Sequence, residues 1–190
     1  MNLQEYLSGE RRHVAQPMIV LIGFMGAGKS SVGRELARMM GTTFADLDEE
    51  IVRTAGRPIA EIFQYDGESE FRRIEREQLR VMLEEADPAP GVLALGGGAF
   101  VQFGNEEMLR NSGATVVFLD ASVEELQKRC KQPGVARPLA ANEQKFRDLY
   151  QERRDIYCRA QYTINTQGRT VEQVAHEVML LAVPSRHRTQ

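Results

Sequence analysis

The sequence has few of the residues that build disulfide scaffolds and metal clusters. Its 190 residues include no tryptophan, two cysteines and three histidines. Neither Cys130 nor Cys158 has a second cysteine or a histidine at the spacing of a metal site. This scarcity argues against a disulfide-stapled secreted domain and favours a cytoplasmic protein whose two thiols stay reduced and serve packing. We expect no catalytic or metal role for the histidines.

Long apolar runs and an excess of positive charge are missing as well. No stretch approaches the roughly 20 apolar residues that cross a membrane. Residues 1–16 carry too many charges for the apolar core of a signal peptide, and Glu5 and Glu10 argue against a transit peptide. The formal net charge of −3 argues against a general binder of nucleic acid or membrane surfaces. We therefore expect small-molecule partners, no nucleic acid, no membrane and, since no long apolar face is left over, a monomer.

Short apolar runs alternate with helical patterns through the rest of the chain. The strand-like runs lie at residues 18–22, 42–46, 91–95, 114–119 and 162–165. Because such alternation requires crossover connections, it predicts an α/β fold with a parallel sheet covered by helices on both faces. Capping residues begin the later helices at Ser122, Asn142 and Thr170.

We expect one domain over residues 17–183, between an extension at 1–16 and a tail at 184–190. The polar loop at about 131–141 contains two prolines and a glycine. A loop of this length in a compact domain is typical of a lid, a binding loop or disorder. We interpret it as a mobile lid.

Residues 23–30, GFMGAGKS, match the phosphate-binding pattern G-x-x-x-x-G-K-[ST]. The glycines let backbone N–H groups approach phosphate oxygens, and the helix that follows adds the positive end of its dipole. Lys29 is placed to reach the β- and γ-phosphates, and the Ser30 hydroxyl is placed to bind Mg²⁺. A glycine-rich turn that binds nothing is the alternative, but the strand before the loop and the helix after it favour phosphate binding.

Two aspartates, Asp46 and Asp48, follow the second predicted strand. The carboxyl ends of parallel strands face the ligand crevice, so both carboxylates fall beside the phosphate-binding loop. One can hold Mg²⁺ and the other can accept a hydrogen bond from a substrate hydroxyl. A second interpretation makes Asp48 a helix cap and Asp46 a solvated turn residue. Spacing alone leaves both open.

Three consecutive glycines, Gly96, Gly97 and Gly98, follow the third predicted strand and so reach the same edge of the sheet. Glycine runs cost backbone entropy, which is reasonable where backbone must lie against a ligand. The alternative is a plain flexible turn.

Several arginines later in the chain are candidates for binding anionic groups at this site. On the long helix predicted over residues 69–85, Arg73 pairs with Glu77 on a solvated face, and this leaves Arg72 free to point inward with Glu75. The remaining candidates are Arg137 in the lid and Arg153 and Arg154 on the next helix. Guanidinium groups suit phosphates and carboxylates because they offer planar paired donors.

Taken together, these motifs resemble those of the shikimate kinases. They are GFMGAGKS at 23–30, DLD at 46–48, FRRIE at 71–75, GGGA at 96–99 and RPL at 137–139. Their order and spacing fit from about residue 19 to residue 183. The resemblance implies a three-layer αβα P-loop kinase fold, with a five-stranded parallel sheet in the order 2-3-1-4-5. It also implies ATP-dependent phosphorylation of the shikimate 3-hydroxyl, with Mg²⁺ as cofactor, in the pathway to chorismate and aromatic amino acids.

The resemblance also implies site residues. Asp48 binds substrate hydroxyls and serves as a base, Asp46 joins Ser30 in the Mg²⁺ shell, and Lys29 and Arg137 complete the catalytic set. Arg72 and Arg153 grip the shikimate carboxylate in a pocket lined by Gly96, Gly97 and Gly98. The implied nucleotide-binding residues are Gly26, Ala27, Gly28, Lys29, Ser30, Ser31, Arg129 and Arg137.

Two positions depart from the family pattern: Ser31 stands where threonine is usual, and Ala140 stands where a second leucine is common. Two other functions are compatible with a phosphate-binding loop. A gluconate or other sugar-acid kinase shares the phosphate-binding loop, but the FRRIE and triple-glycine motifs argue against it. A nucleotide-binding module that has lost catalysis is the other, and the presence of Asp48, Arg72 and Arg153 argues against that.

Overall fold

The computed structural model describes residues 17–84, 86, 89–131 and 142–182. The predicted extension and tail lie outside the described residues, and so does the predicted lid apart from Lys131. The domain bounds and the lid therefore stay predictions.

The described residues form five strands and eight helices. The strands are β1 (Ile19–Ile22), β2 (Phe44–Asp46), β3 (Val92–Ala94), β4 (Thr115–Asp120) and β5 (Tyr162–Asn165). The helices are α1 (Lys29–Met40), α2 (Leu47–Ala55), α3 (Ile59–Tyr65), α4 (Gly67–Glu84), α5 (Asn105–Asn111), α6 (Val123–Cys130), α7 (Glu143–Tyr157) and α8 (Val171–Ala182). None of these helices combines the length and the apolar content that a membrane span needs.

The strands form one parallel sheet in the order β2-β3-β1-β4-β5, which confirms the predicted topology. In the centre, Val20 of β1 lies in register with Leu93 of β3 and Val116 of β4. All four residues of β1 are buried, as expected for a strand covered on both faces. This arrangement brings the ends of β1, β2 and β3 together at one edge.

Some element ends differ from the predictions. The second strand begins at Phe44 instead of residue 42, because the Thr42 N–H donates to the Ala37 carbonyl (3.0 Å) and closes the end of α1. The three predicted caps are confirmed. The side-chain oxygens of Ser122, Asn142 and Thr170 accept from backbone N–H groups three residues later.

An aromatic cluster joins the phosphate-binding loop to α7. The Phe24 ring, in the loop, meets Phe146 and Tyr150 of α7 edge to face, with centroids 5.0 and 5.6 Å apart. The Tyr150 hydroxyl donates to the Ala121 carbonyl (3.0 Å), just beyond β4. Such pairs stabilise beyond the area they bury, so α7 is held at a fixed place beside the loop.

Candidate active site

The phosphate-binding loop, residues 23–30, runs from the end of β1 into α1. Gly28 caps α1 without any side-chain hydrogen bond, so the positive end of the helix is left for an anion. The Lys29 ammonium donates to the carbonyls of Gly23 (2.8 Å) and Phe24 (3.2 Å) and so lies across the loop. A Cβ at Gly26 would lie 2.8 Å from the Leu126 carbonyl oxygen, which explains glycine there.

Asp46 connects this loop to the end of β2. Its Oδ2 accepts from the Ser30 hydroxyl (2.6 Å), and its Oδ1 caps α2 by accepting from the Asp48 N–H (3.0 Å). The interpretation of Asp48 as the cap and Asp46 as a solvated turn residue is therefore wrong. Asp46 caps the helix because it occupies the last extended position before α2.

The pair of Ser30 and Asp46 has the donor chemistry that Mg²⁺ prefers. Mg²⁺ is bound by oxygen atoms, with one or two carboxylates plus substrate phosphates and waters. Among the described residues no group of three or more His, Cys, Asp or Glu side chains could hold a metal by itself. A single carboxylate beside a hydroxyl at the phosphate-binding loop thus fits a metal that arrives with a nucleotide.

Two glycines of the loop after β3 give room to charged side chains. A Cβ at Gly96 would lie 2.5 Å from Asp48 Oδ1, and a Cβ at Gly98 would lie 2.6 Å from Arg72 Nη1. Real Cβ atoms essentially never lie this close to another heavy atom, so a side chain at either position would displace its neighbour. Gly97 differs, because its Cβ would meet the Met25 amide nitrogen at an ordinary 3.6 Å. The glycine run thus places Asp48, Arg72 and the phosphate-binding loop around one short segment.

Arg72 is anchored by a buried carboxylate. Its Nη1 donates to Glu75 Oε2 (2.7 Å), and its Nη2 donates to Glu68 Oε1 (3.2 Å). Glu75 is 1% exposed, and burial raises its pKa, although Arg72 partly opposes this. The predicted i,i+3 pairing of Arg72 with Glu75 is confirmed.

The predicted partner of Arg73 is wrong. Arg73 donates to Glu70 (2.7 Å) instead of Glu77, which pairs with Arg80. The exposed guanidinium takes the carboxylate three residues before it. Positions i−3 and i+4 both neighbour Arg73 on the helix surface, so spacing alone does not decide between them. Arg73 nevertheless stays on the solvated side, with a side chain 67% exposed.

The two adjacent arginines of α7 have different partners. Arg153 Nη1 donates to the Gly97 carbonyl (3.1 Å), and the Tyr157 hydroxyl donates to the same oxygen. Arg154 instead donates to Asp120 at the end of β4 (2.6 Å), and this hydrogen-bonded carboxylate raises the pKa of Arg154. Of the two, Arg153 therefore joins the group around the glycine loop.

A cavity of about 450 Å³ lies between the phosphate-binding loop, α6 and the start of α8. Its lining includes Gly26, Ala27, Gly28, Ser31, Arg129 and Thr166. Arg129 donates to the Thr166 carbonyl (2.9 Å), and its Nε donates to Glu125 (3.0 Å). These bonds hold the guanidinium at the wall of the cavity. Arg137, predicted to act from the lid, lies outside the described residues.

Sequence reasoning missed two buried polar residues behind the glycine loop. Asn105 donates to the Ala99 carbonyl (2.8 Å) and accepts from Arg76 Nε (3.1 Å). Tyr157 donates to Gly97, as described above. The signal for Tyr157 was its position four residues after Arg153, which puts both side chains on one face of the helix. No local pattern marks Asn105.

Most of this chain is similar in sequence to known kinases. A family model described as shikimate kinase matches residues 25–182, most of the chain. The chain belongs to the shikimate kinase family. It is 44% identical to a shikimate kinase of Streptomyces coelicolor, over 87% of this chain and 95% of that one. It is 49% identical to a shikimate kinase of Mycobacterium avium, over 76% of this chain and 80% of the relative.

A solved structure extends the likeness to three dimensions. It is a shikimate kinase from Acinetobacter baumannii in complex with shikimate, 38% identical, with a TM-score of 0.74 over 88% of this chain and 93% of that one. Family membership confirms the predicted resemblance and makes the chain a kinase that uses ATP. Membership of this family argues against both alternatives, the sugar-acid kinase and the nucleotide-binding module that has lost catalysis.

Proposed function

We propose that this chain transfers the γ-phosphoryl group of ATP to the 3-hydroxyl of shikimate, in the pathway to chorismate and aromatic amino acids. One observation carries the proposal: Asp48, Arg72 and Arg153 meet at a glycine loop that also touches the phosphate-binding loop. An acidic alcohol bound there has its carboxylate near two guanidinium groups and a hydroxyl near the donor phosphates. Membership of the shikimate kinase family supports shikimate as that acid.

On the acceptor side, Arg72 and Arg153 bind the carboxylate through charge-assisted hydrogen bonds. Gly96, Gly97 and Gly98 line this pocket. Asp48 accepts a hydrogen bond from the attacking hydroxyl, orients it toward the phosphate and takes its proton as the new bond forms. The close fit of Asp48 against Gly96 supports this role, because it limits the positions that the carboxylate can take.

On the donor side, backbone N–H groups of Gly26, Ala27 and Gly28 cradle the phosphates at the start of α1. Lys29 exchanges its carbonyl contacts for β- and γ-phosphate oxygens. Ser30 and Asp46 hold Mg²⁺, which when bound supplies positive charge to the phosphate oxygens.

The rest of the nucleotide occupies the cavity beside α6. We place the base next to Arg129 and assign Ser31, at the cavity wall, to the phosphate end. Arg137 reaches over the phosphates from the lid, and lid closure keeps water from the donor phosphate.

Phosphoryl transfer passes through a loose transition state, so positioning and charge neutralisation supply most of the acceleration. This chain meets both needs with its own charged groups. Helix α1 and Lys29 neutralise the donor, and the two arginines orient the acceptor. Asp48 takes the proton late in the reaction, because the alcohol becomes acidic only as its bond to phosphorus forms.

Several broader properties belong to the same proposal. One kinase domain spans residues 17–183 and acts as a monomer in the cytoplasm. Its partners are the small molecules ATP and shikimate, with no nucleic acid or membrane.

The proposal is tested by comparing purified parent, Asp48→Asn and Asp148→Asn proteins, with shikimate and a panel of other hydroxy acids as acceptors. We expect the parent to form shikimate 3-phosphate, detected by mass spectrometry. Asp48→Asn should lose about 10²- to 10⁴-fold in turnover, because the base is gone. Asp148→Asn, which removes one charge from the exposed surface of α7, should match the parent.

Two results would count against these assignments. Shikimate-dependent turnover near the parent level in folded Asp48→Asn would remove Asp48 from the mechanism. A parent protein that phosphorylates another hydroxy acid but not shikimate would overturn the proposed substrate.

A further inference from the structure

We infer that Tyr157 is a positioning residue for the acceptor acid: it holds the Gly97 carbonyl, so that Arg153 can turn to the substrate carboxylate. This inference rests on the proposed function. It concerns a residue that touches neither substrate nor nucleotide and acts through its two neighbours.

The geometry gives one oxygen two donors. The Gly97 carbonyl accepts from the Tyr157 hydroxyl and from Arg153 Nη1 (3.1 Å). Tyr157 is 1% exposed, and its ring packs on Phe118 of β4 with centroids 5.2 Å apart. The hydroxyl is therefore carried by a ring that the core fixes in place, whereas Arg153 has a long, partly exposed side chain.

The two donors differ in the number of hydrogen bonds that they can make elsewhere. A carbonyl oxygen has two lone pairs, and a guanidinium group has five N–H donors. With Tyr157 in place, Arg153 can leave Gly97 for a carboxylate and the carbonyl still has a partner. Without the phenol, the same movement would leave the carbonyl of the half-buried Gly97 without a donor from the protein, which is costly. Arg153 would then be retained at Gly97, in competition with the substrate.

The hydroxyl of Tyr157 is suited to permanent donation. Burial raises its pKa to about 12, against the opposing charges of Arg153 and Arg72 and together with that of Glu75. The phenol thus stays protonated throughout the neutral range. Its hydrogen bond to Gly97 does not depend on pH under assay conditions.

The bond also sets the orientation of the peptide unit that joins Gly97 to Gly98. A trans peptide is planar, so the Gly97 carbonyl and the Gly98 N–H point in opposite directions. By holding the carbonyl toward α7, Tyr157 turns the Gly98 N–H away from α7. Since Arg72 lies against Gly98, Tyr157 contributes to the shape of the pocket between the two arginines.

The test is Tyr157→Phe, which keeps the ring and removes only the hydroxyl. We expect the KM for shikimate to rise about tenfold, as for the loss of one well-formed hydrogen bond. The KM for ATP should stay within about twofold, because the phosphate-binding loop is not touched. The matched control is Tyr150→Phe, which keeps the ring that packs on Phe24 and removes another buried hydroxyl from the same helix, one bonded to Ala121 and Asp120 instead of Gly97. It should leave the shikimate KM unchanged.

A double variant separates positioning from general loosening. If Tyr157 acts through Arg153, the Tyr157→Phe effect on the shikimate KM should fall to within about twofold in an Arg153→Ala background, where no side-chain donor competes for Gly97. Thermal melts of all variants check folding. If Tyr157→Phe melts near the assay temperature, calorimetric titration with shikimate in the cold gives the same comparison.

Three outcomes would overturn the inference. They are an unchanged shikimate KM in folded Tyr157→Phe, an equal rise in the KM of both substrates, and effects that simply add in the double variant. A parent protein without shikimate-dependent ADP formation would overturn the proposed function as well. An active parent with an unaffected Tyr157→Phe variant would overturn the role of Tyr157 alone.

Discussion

Replacing Gly98 with alanine tests whether the glycine loop fixes the place of Arg72. The added Cβ would lie 2.6 Å from Nη1, 2.8 Å from Nη2 and 3.0 Å from Cζ of Arg72. It therefore collides with the whole end of the guanidinium group. The backbone of Gly98 does not have the positive φ that disfavours alanine, so the substitution acts on the neighbour and not on the chain path.

The size of the effect follows from the distances. Ordinary contact begins at 3.4 Å, so the guanidinium must retreat by about 0.8 Å, the difference between 3.4 and 2.6 Å. A shift of this size weakens the bond that we propose between Arg72 and a substrate carboxylate. A hydrogen bond to a charged group contributes about 1.5–3 kcal/mol. We therefore expect the KM for shikimate to rise about 10- to 100-fold.

Steady-state kinetics with each substrate varied in turn provides the assay. The KM for ATP should stay near the parent value, and the thermal melt should change little, because the clash involves only the end of one flexible side chain. In an Arg72→Ala background the additional effect of Gly98→Ala should largely vanish. An unchanged shikimate KM, or a full effect that persists without Arg72, would refute the claim that this glycine makes room for the guanidinium.

Two further predictions concern the carboxylates. Burial raises the pKa of Glu75 above its ordinary 4.5, so the folded protein holds this proton more tightly than the unfolded chain. The free energy of unfolding should therefore fall as pH rises above about 4.5, and Glu75→Gln should remove that fall; urea unfolding of both proteins from about pH 5 to about pH 7 measures it, and parallel curves would contradict it. Asp46→Asn keeps a good helix cap but weakens the proposed metal site, so activity should require more Mg²⁺ while stability stays near the parent value. Magnesium titrations of the activity check this, and an unchanged requirement would remove Asp46 from the metal shell.

The fold was largely predictable because its signals are local. The apolar run of β1, the glycine pattern after it and the alternation of strands with helices together predict a parallel sheet with a phosphate-binding edge. The predicted start of β2 was wrong. Thr42 has the β-branched side chain that is typical of strands, but its N–H donates to the last turn of α1.

The composition of the site was predictable, but the contacts inside it were not. Asp46 and Asp48 are equally good caps by spacing, and only the extended backbone at Asp46 decides between them. Arg153 and Arg154 are adjacent and chemically identical, so their different partners depend on where α7 lies relative to β4. Asn105 contacts Arg76, which is 29 residues away. No local periodicity carries that information.

The Phe24 ring belongs to the phosphate-binding loop, yet both of its aromatic neighbours belong to the helix that carries Arg153. This contact thus couples the loop that we propose for the donor to the helix that we propose for the acceptor. Because close-packed rings transmit displacements, we expect the two sides to move together and the distance between the substrates to vary less than the position of either one.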